Sequence, residues 1–197
     1  MTRTSRTRAY LVAVFSALLL LLLISLPGSG IQAGSGVVPT WQAPSDVEAH
    51  VRAAGLQLLG KEGLAEHIHP HLAVSVNGKA LTVPAEIGIN TAAHPTTYAQ
   101  IHTHDTSGII HVESPTPQPF YLGQVFEEWG VPLSGNQVGS YVDGQHGVRI
   151  AVFVDGAPYK QNPMFLQLAN KQQISIAVTT DGSAPRAAAT FVYPAGY

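Results

Sequence analysis

The tetrapeptide Val76-Asn77-Gly78-Lys79 constrains the folding of this chain more than any other feature. A two-residue type I′ turn needs positive φ at both central positions, and Asn-Gly accepts that at little cost. If Val76 pairs with Lys79, then Val74 faces Leu81 and Leu72 faces Val83, so apolar side chains meet apolar side chains. A slip of one residue would turn all of them to the other side, which pins the register. The opposite face of the first strand then carries His71, His69 and His67. Glu86 falls across from His69 unless Pro84 ends the ladder first.

Asp105-Thr106-Ser107-Gly108 is a turn-forming quartet that predicts a second hairpin. With those four as the loop, His104 pairs with Ile109, His102 with His111, and Gln100 with Glu113. Alternate residues share a face. His102, His104, His111 and Glu113 therefore project one way, and Ile101, Ile110 and Val112 the other. Each hairpin sorts into an apolar face and an imidazole face.

Around these ribbons, Ser45-Asp46-Val47-Glu48 has the form of a capping box and predicts a short helix ending near Gly55, with His50 on its surface. Leu122, Val125, Phe126 and Trp129 stand at helical spacing before Gly130, marking one amphipathic helix with Phe126 and Trp129 in the core. Residues 134–147 read as a polar, Gly-rich loop. Val148–Val154 and Ile174–Val178 read as strands around an Asp155-Gly156 turn, and 190–193 as one more. Four strands, a helix and then further strands give an α+β fold: a small mixed or antiparallel sheet with one main amphipathic helix. The part from the helix onward is similar to the closing half of β-grasp domains.

The N-terminus is of another kind. Arg3, Arg6 and Arg8 precede the apolar run Tyr10–Leu26, interrupted only by Ser16 and Ser25, and Pro27-Gly28-Ser29-Gly30 follows. A basic head, an apolar stretch and a small-residue exit make up an export signal. The basic head is expected to stay in the cytoplasm, placing the remainder outside. The run fits a signal peptide cleaved after Gly30 or Ala33, and equally a retained N-terminal hydrophobic helix that anchors the chain in the membrane. The expected organisation is signal or anchor over 1–33, flexible linker over 34–44, a His-rich α+β domain over 45–180, and a C-terminal extension over 181–197. About 160 residues remain after the 1–33 segment, enough for one domain with a real core.

The chain has no cysteine, which excludes disulfides, thiolate metal sites, cysteine nucleophiles and lipid attachment through cysteine. Charged residues make up 11% of it and no basic stripe is present, so nucleic acid is not an expected partner. Six of its nine histidines sit in two motifs, His67-Ile68-His69-Pro70-His71 and His102-Thr103-His104 with His111. Neutral imidazole is the commonest metal ligand. Cross-strand histidines have Cβ atoms about 4.5–5.5 Å apart, within reach of one ion. Candidate ligands are therefore His67, His69, His71, His102, His104, His111 and Glu113, with Glu66 and Glu86 as carboxylates that could orient imidazoles. Asp105 has the alternative of capping its own turn. His94 and His146 lie outside the pattern. Without thiolates, Zn(II) or Cu(II) suits the donor set better than Cu(I).

The segments HIHPHLAVSVNG, VPAEIGI, IHTHDTSGIIHVESP and YLGQVFEEWGVPL together resemble a family of membrane-anchored or secreted bacterial and archaeal proteins with no established activity. The resemblance covers about residues 55–178 and implies one coherent domain. In that pattern an acid often stands where this chain has Ala73.

Three functions remain open. A metal-binding module of the cell envelope leads. A metal-dependent hydrolase or oxidoreductase would use Glu113 or Asp105 as base, although neither an H-E-x-x-H nor a G-x-S-x-G signature is present. A metal-free interaction domain would use the imidazoles to sense pH. No protein partner is specified.

Overall fold

The computed structural model describes residues 40–60 and 65–197. Its elements in chain order are α1 (Val47–Ala53), β1 (Leu58–Leu59), β2 (Glu66–Ile68), β3 (His71–Val76), β4 (Lys79–Leu81), β5 (Ile89–Asn90), β6 (Thr97–Ala99), β7 (Ile101–His102) and β8 (His111–Ser114). After these come α2 (Leu122–Trp129), β9 (Leu133–Ser134), β10 (Gln137–Val138), β11 (Tyr141–Val142), β12 (Arg149–Val154), β13 (Ala157–Tyr159) and β14 (Gln173–Thr179). Two helices against many strands make this an α+β domain. Among the described residues no helix is long and apolar enough to cross a membrane. The Tyr10–Leu26 run lies outside the described residues.

The Asn77-Gly78 turn forms as expected, with φ of 51° and 74°, and Val76 pairs with Lys79 and Val74 with Leu81. The ladder stops at Leu81, before Leu72 could meet Val83, and Pro84 opens a turn instead. Glu86 therefore does not lie across from His69; its backbone N–H donates to Thr103 O.

This hairpin enters a five-stranded sheet of order β13-β12-β14-β3-β4, in which β14 runs parallel to β3 and the other neighbours are antiparallel. The register sets Leu72 beside Ile174, Val74 beside Ile176 and Val76 beside Val178, all buried. They share one core with Leu122, Val125, Phe126 and Trp129 of α2. Fully burying one such side chain is worth about 1.5–3 kcal/mol, so this apolar layer is what holds the sheet to the helix. Gly130, with φ of 70°, ends α2 in the left-handed region.

Several local expectations are corrected. The cap of α1 is Asp46, which accepts from Ala49 N, rather than Ser45. His50 is half-buried: its Nδ1 donates to Glu127 O and joins α1 to the end of α2. The end of the linker is docked, because the Trp41 ring packs edge-on against Trp129 at 5.6 Å and Trp41 O accepts from its indole N–H. The 134–147 loop contains the meander β9-β10-β11.

No strand forms at 190–193. The C-terminal segment instead crosses the polar face of the five-stranded sheet. There Ala188 N donates to Ser175 Oγ, and the Gln173 amide accepts from Phe191 N and donates to Phe191 O.

Candidate metal centre

The site is built on the small antiparallel sheet β2-β8-β7. Its central strand β8 pairs Val112 with both Ile68 and Ile101, an apolar row facing the core. On the alternate positions β8 pairs Glu113 with His67 and His111 with His102. The second hairpin thus keeps its expected register, and Glu113 N donates to Gln100 O as that register requires. The first histidine group joins through β2 on the other side of β8. Period-two alternation over three strands therefore gathers His67, His69, His111, Glu113, His102 and His104 on one face.

The loop between β7 and β8 departs from the simple hairpin. Gly108 O accepts from Leu72 N and Ile110 N donates to Pro70 O, so Ile109, the expected partner of His104, bridges to His71 at the start of β3 instead. Gly108 has φ of 85°, and a Cβ there would collide with Leu72 O. Only glycine fits this approach. Thr103 locks the histidines on either side of it: its Oγ1 donates to Pro84 O and accepts from Ile87 N, and its N–H donates to Ile87 O. The segment VPAEIGI is thus a clamp that fixes His102 and His104.

Two trios can hold a metal ion by geometry: His67, His69 and His111, and His102, His104 and His111. Within each, the donor atoms lie within 4.8 Å of one another. In the second trio His102 Nε2 and His104 Nε2 are 3.2 Å apart. Two nitrogens held at about 2.0–2.1 Å by one tetrahedral ion are about 3.3–3.4 Å apart, so this pair already has the bite of a chelate. His102 Nδ1 donates to Ala99 O at 2.9 Å, which places the ring proton on Nδ1 and turns the Nε2 lone pair toward His104. A backbone carbonyl orienting a histidine in this way is a recurrent device around metals. Glu113 Oε1 lies 3.2 Å from His67 Nε2 and 4.0 Å from His111 Nδ1.

His102 is 0% exposed, Glu113 2% and His111 8%, whereas His67 and His104 reach the surface and His69 is half-buried. Burial, reinforced by His102, His104, His69 and His67 around it, pushes His111 down to about 3. Burial first, then His67, His102 and Lys171, also lowers His69. At neutral pH these rings are neutral, the form a metal binds.

His71 is the candidate that the structure places elsewhere. Pro70 hands the chain from the small sheet to the large one, and the His71 ring follows β3. Its Nε2 donates to Ser107 O at 3.0 Å, and it stacks on Phe191 with centroids 3.8 Å apart. It belongs to neither trio. Asp105 caps its own turn by accepting from Ser107 N, and the Ser107 hydrogen bonds hold its carboxyl below the usual range. Glu66 accepts from Gln118 N, away from the imidazoles.

Sequence reasoning missed the C-terminal aromatics. Tyr197 packs edge-on against His69 at 4.9 Å and lies 5.8 Å from His111, and Tyr193 donates its hydroxyl hydrogen to His69 O. The aromatic spacing of Phe191, Tyr193 and Tyr197 was the available signal.

These features define a class: a clustered-imidazole site, with one buried carboxylate, on the face of a small α+β domain. No family model, curated protein or solved structure matches the chain. The functional reading therefore rests on the site.

Proposed function

We propose that this chain is an extracytoplasmic metal-binding protein of the cell envelope that holds a divalent transition ion, Zn(II) or Cu(II), in its histidine cluster. The observation that carries the metal reading is the 3.2 Å approach of His102 Nε2 to His104 Nε2, with His111 completing the trio. The same spacing would suit a hydrogen bond from His104 to His102. Convergence of His67, His69 and Glu113 on the same face favours the metal, because packing alone gives no reason to repeat imidazole at five positions of one face. An all-nitrogen set with a carboxylate and no thiolate suits Zn(II) and Cu(II).

The envelope reading is supported by Arg3, Arg6 and Arg8 ahead of the Tyr10–Leu26 run. We also read the five-stranded sheet as a β-grasp arrangement. Its support is the order of parts: a first hairpin, helix α2, a second hairpin and a closing strand parallel to the first.

The test of metal binding is competition for Zn(II) against a chromophoric chelator. The wild-type chain withdraws Zn(II) from the dye, and the H67A/H104A variant, altered only at exposed side chains, loses that capacity. Equal withdrawal by both proteins would remove the reading. Protease added outside intact cells should digest residues 40–197, and protection until lysis would remove the envelope assignment.

A further inference from the structure

The cluster has more donors than one ion can use. With metal–nitrogen distances of about 2.0–2.1 Å, two donors on the same ion are at most about 4.2 Å apart. The donor atoms of the five imidazoles do not all lie within 4.8 Å of one another. They fall into two trios with a single member in common, His111. That residue sits on β8, the central strand, with His67 and His69 arriving from β2 and His102 and His104 from the β7 side.

We propose that the site is a two-ion centre, taking two Zn(II) or Cu(II) ions with the His111 ring bridging them; this rests on the metal-binding reading and extends it. An imidazole has two nitrogens on different edges of the ring, so it can serve both trios only by using one for each. His111 Nδ1 is on the side of Glu113 Oε1, at 4.0 Å, and that oxygen is in turn 3.2 Å from His67 Nε2. Nδ1 therefore belongs to the ion held by His67 and His69, with Glu113 as the carboxylate beside it. Nε2 belongs to the ion held by His102 and His104. The first ion takes the lone pair of the neutral ring. The second replaces the remaining N–H proton, which leaves to solvent, so the ring becomes an imidazolate between the two cations. That negative charge, with the Glu113 carboxylate, offsets the repulsion of two nearby dications.

The two halves differ in their supports. The His102–His104 half is fixed by Ala99 O and by the Thr103 clamp. The His67–His69 half is shielded by Tyr197 and tied through His69 O to Tyr193. The first half is the better preorganised and fills first.

The test is Cu(II) titration of the full chain in detergent, with stoichiometry read by native mass spectrometry and the electron paramagnetic resonance signal integrated at each step. Two ions bind, and the integrated signal rises through the first equivalent and falls through the second as the bridged ions couple. H104A and H67A, each altered at an exposed side chain, retain one ion and an uncoupled signal. A wild-type limit of one ion overturns the two-ion centre and leaves the metal reading standing. Two ions with a full, uncoupled signal overturn the His111 bridge. Absence of any bound ion overturns the metal reading and this inference together. Circular dichroism of the variants matching wild type ties the losses to ligands rather than to unfolding.

Discussion

The two hairpins of this chain share a plan and differ in what they bury. The β3–β4 ribbon turns on Asn77-Gly78 and puts Leu72, Val74 and Val76 into the core. The β7–β8 ribbon puts Ile101 and Val112 inward and, on its other face, encloses His102, His111 and Glu113 almost as fully. Apolar burial stabilises at about 25 cal/mol per Å². Burying imidazoles and a carboxylate does not, since each loses water and must find a partner. The first ribbon is thus accounted for by folding alone. The second buries polar groups that partner the backbone and one another, an arrangement that a bound cation would stabilise further.

The largest expected effect lies on the apolar side of this contrast. Trp129→Ala removes a fully buried indole that packs on Trp41 and Phe126, and should destabilise the fold by about 3–5 kcal/mol in urea unfolding. A loss under about 1 kcal/mol would mean that α2 is not the keystone of the core.

Next comes ligand linkage. Zn(II) at a hundredfold excess over its Kd should raise stability by about 2.7 kcal/mol, reversed by chelator. An unchanged unfolding curve would place the imidazole face on the same footing as the apolar one.

The third expectation concerns pH in the presence of chelator. His69 and His111 have folded-state pKa values below their ordinary 6.5, His111 at about 3. The unfolded chain therefore binds more protons than the folded one between those limits. The stability that these two rings contribute is fully present above about 6.5 and is lost as pH drops toward 3. Burial raises the Glu128 carboxyl out of the ordinary range and works in the opposite direction, so urea midpoints between pH 7 and 5 in a Glu128→Gln background isolate the histidines, and a flat profile there would contradict the buried, neutral cluster.

The smallest expected effect is on folding at the surface: H104A should shift stability by no more than about 0.5 kcal/mol while abolishing binding in its trio. A large destabilisation would make His104 a structural residue.

Much of this contrast was legible in the sequence, because two-residue periodicity and turn chemistry are local. The Val76–Lys79 and His102–His111 pairings and the buried stripe Leu122, Val125, Phe126 and Trp129 follow from spacing alone. Non-local events were not legible. His71 continues the alternation of His67 and His69 on paper, but Pro70 transfers it to another sheet. Ile109 was expected to pair with His104, yet it bridges to His71, and its neighbours Gly108 and Ile110 bond to Leu72 and Pro70. Tyr193 and Tyr197 reach the site only because the last segment crosses the large sheet. Glu128 lies next to an exposed Glu127 in sequence, yet it is 1% exposed, and burial raises its carboxyl well above the ordinary range. Charge patterning would have put both on the surface.

Calorimetric titration of Zn(II) into the chelator-treated full chain at neutral pH tests the central claim most directly. The account predicts saturable heat in the wild type and its disappearance in the H102A/H104A/H111A variant. Wild-type heat indistinguishable from dilution would contradict it.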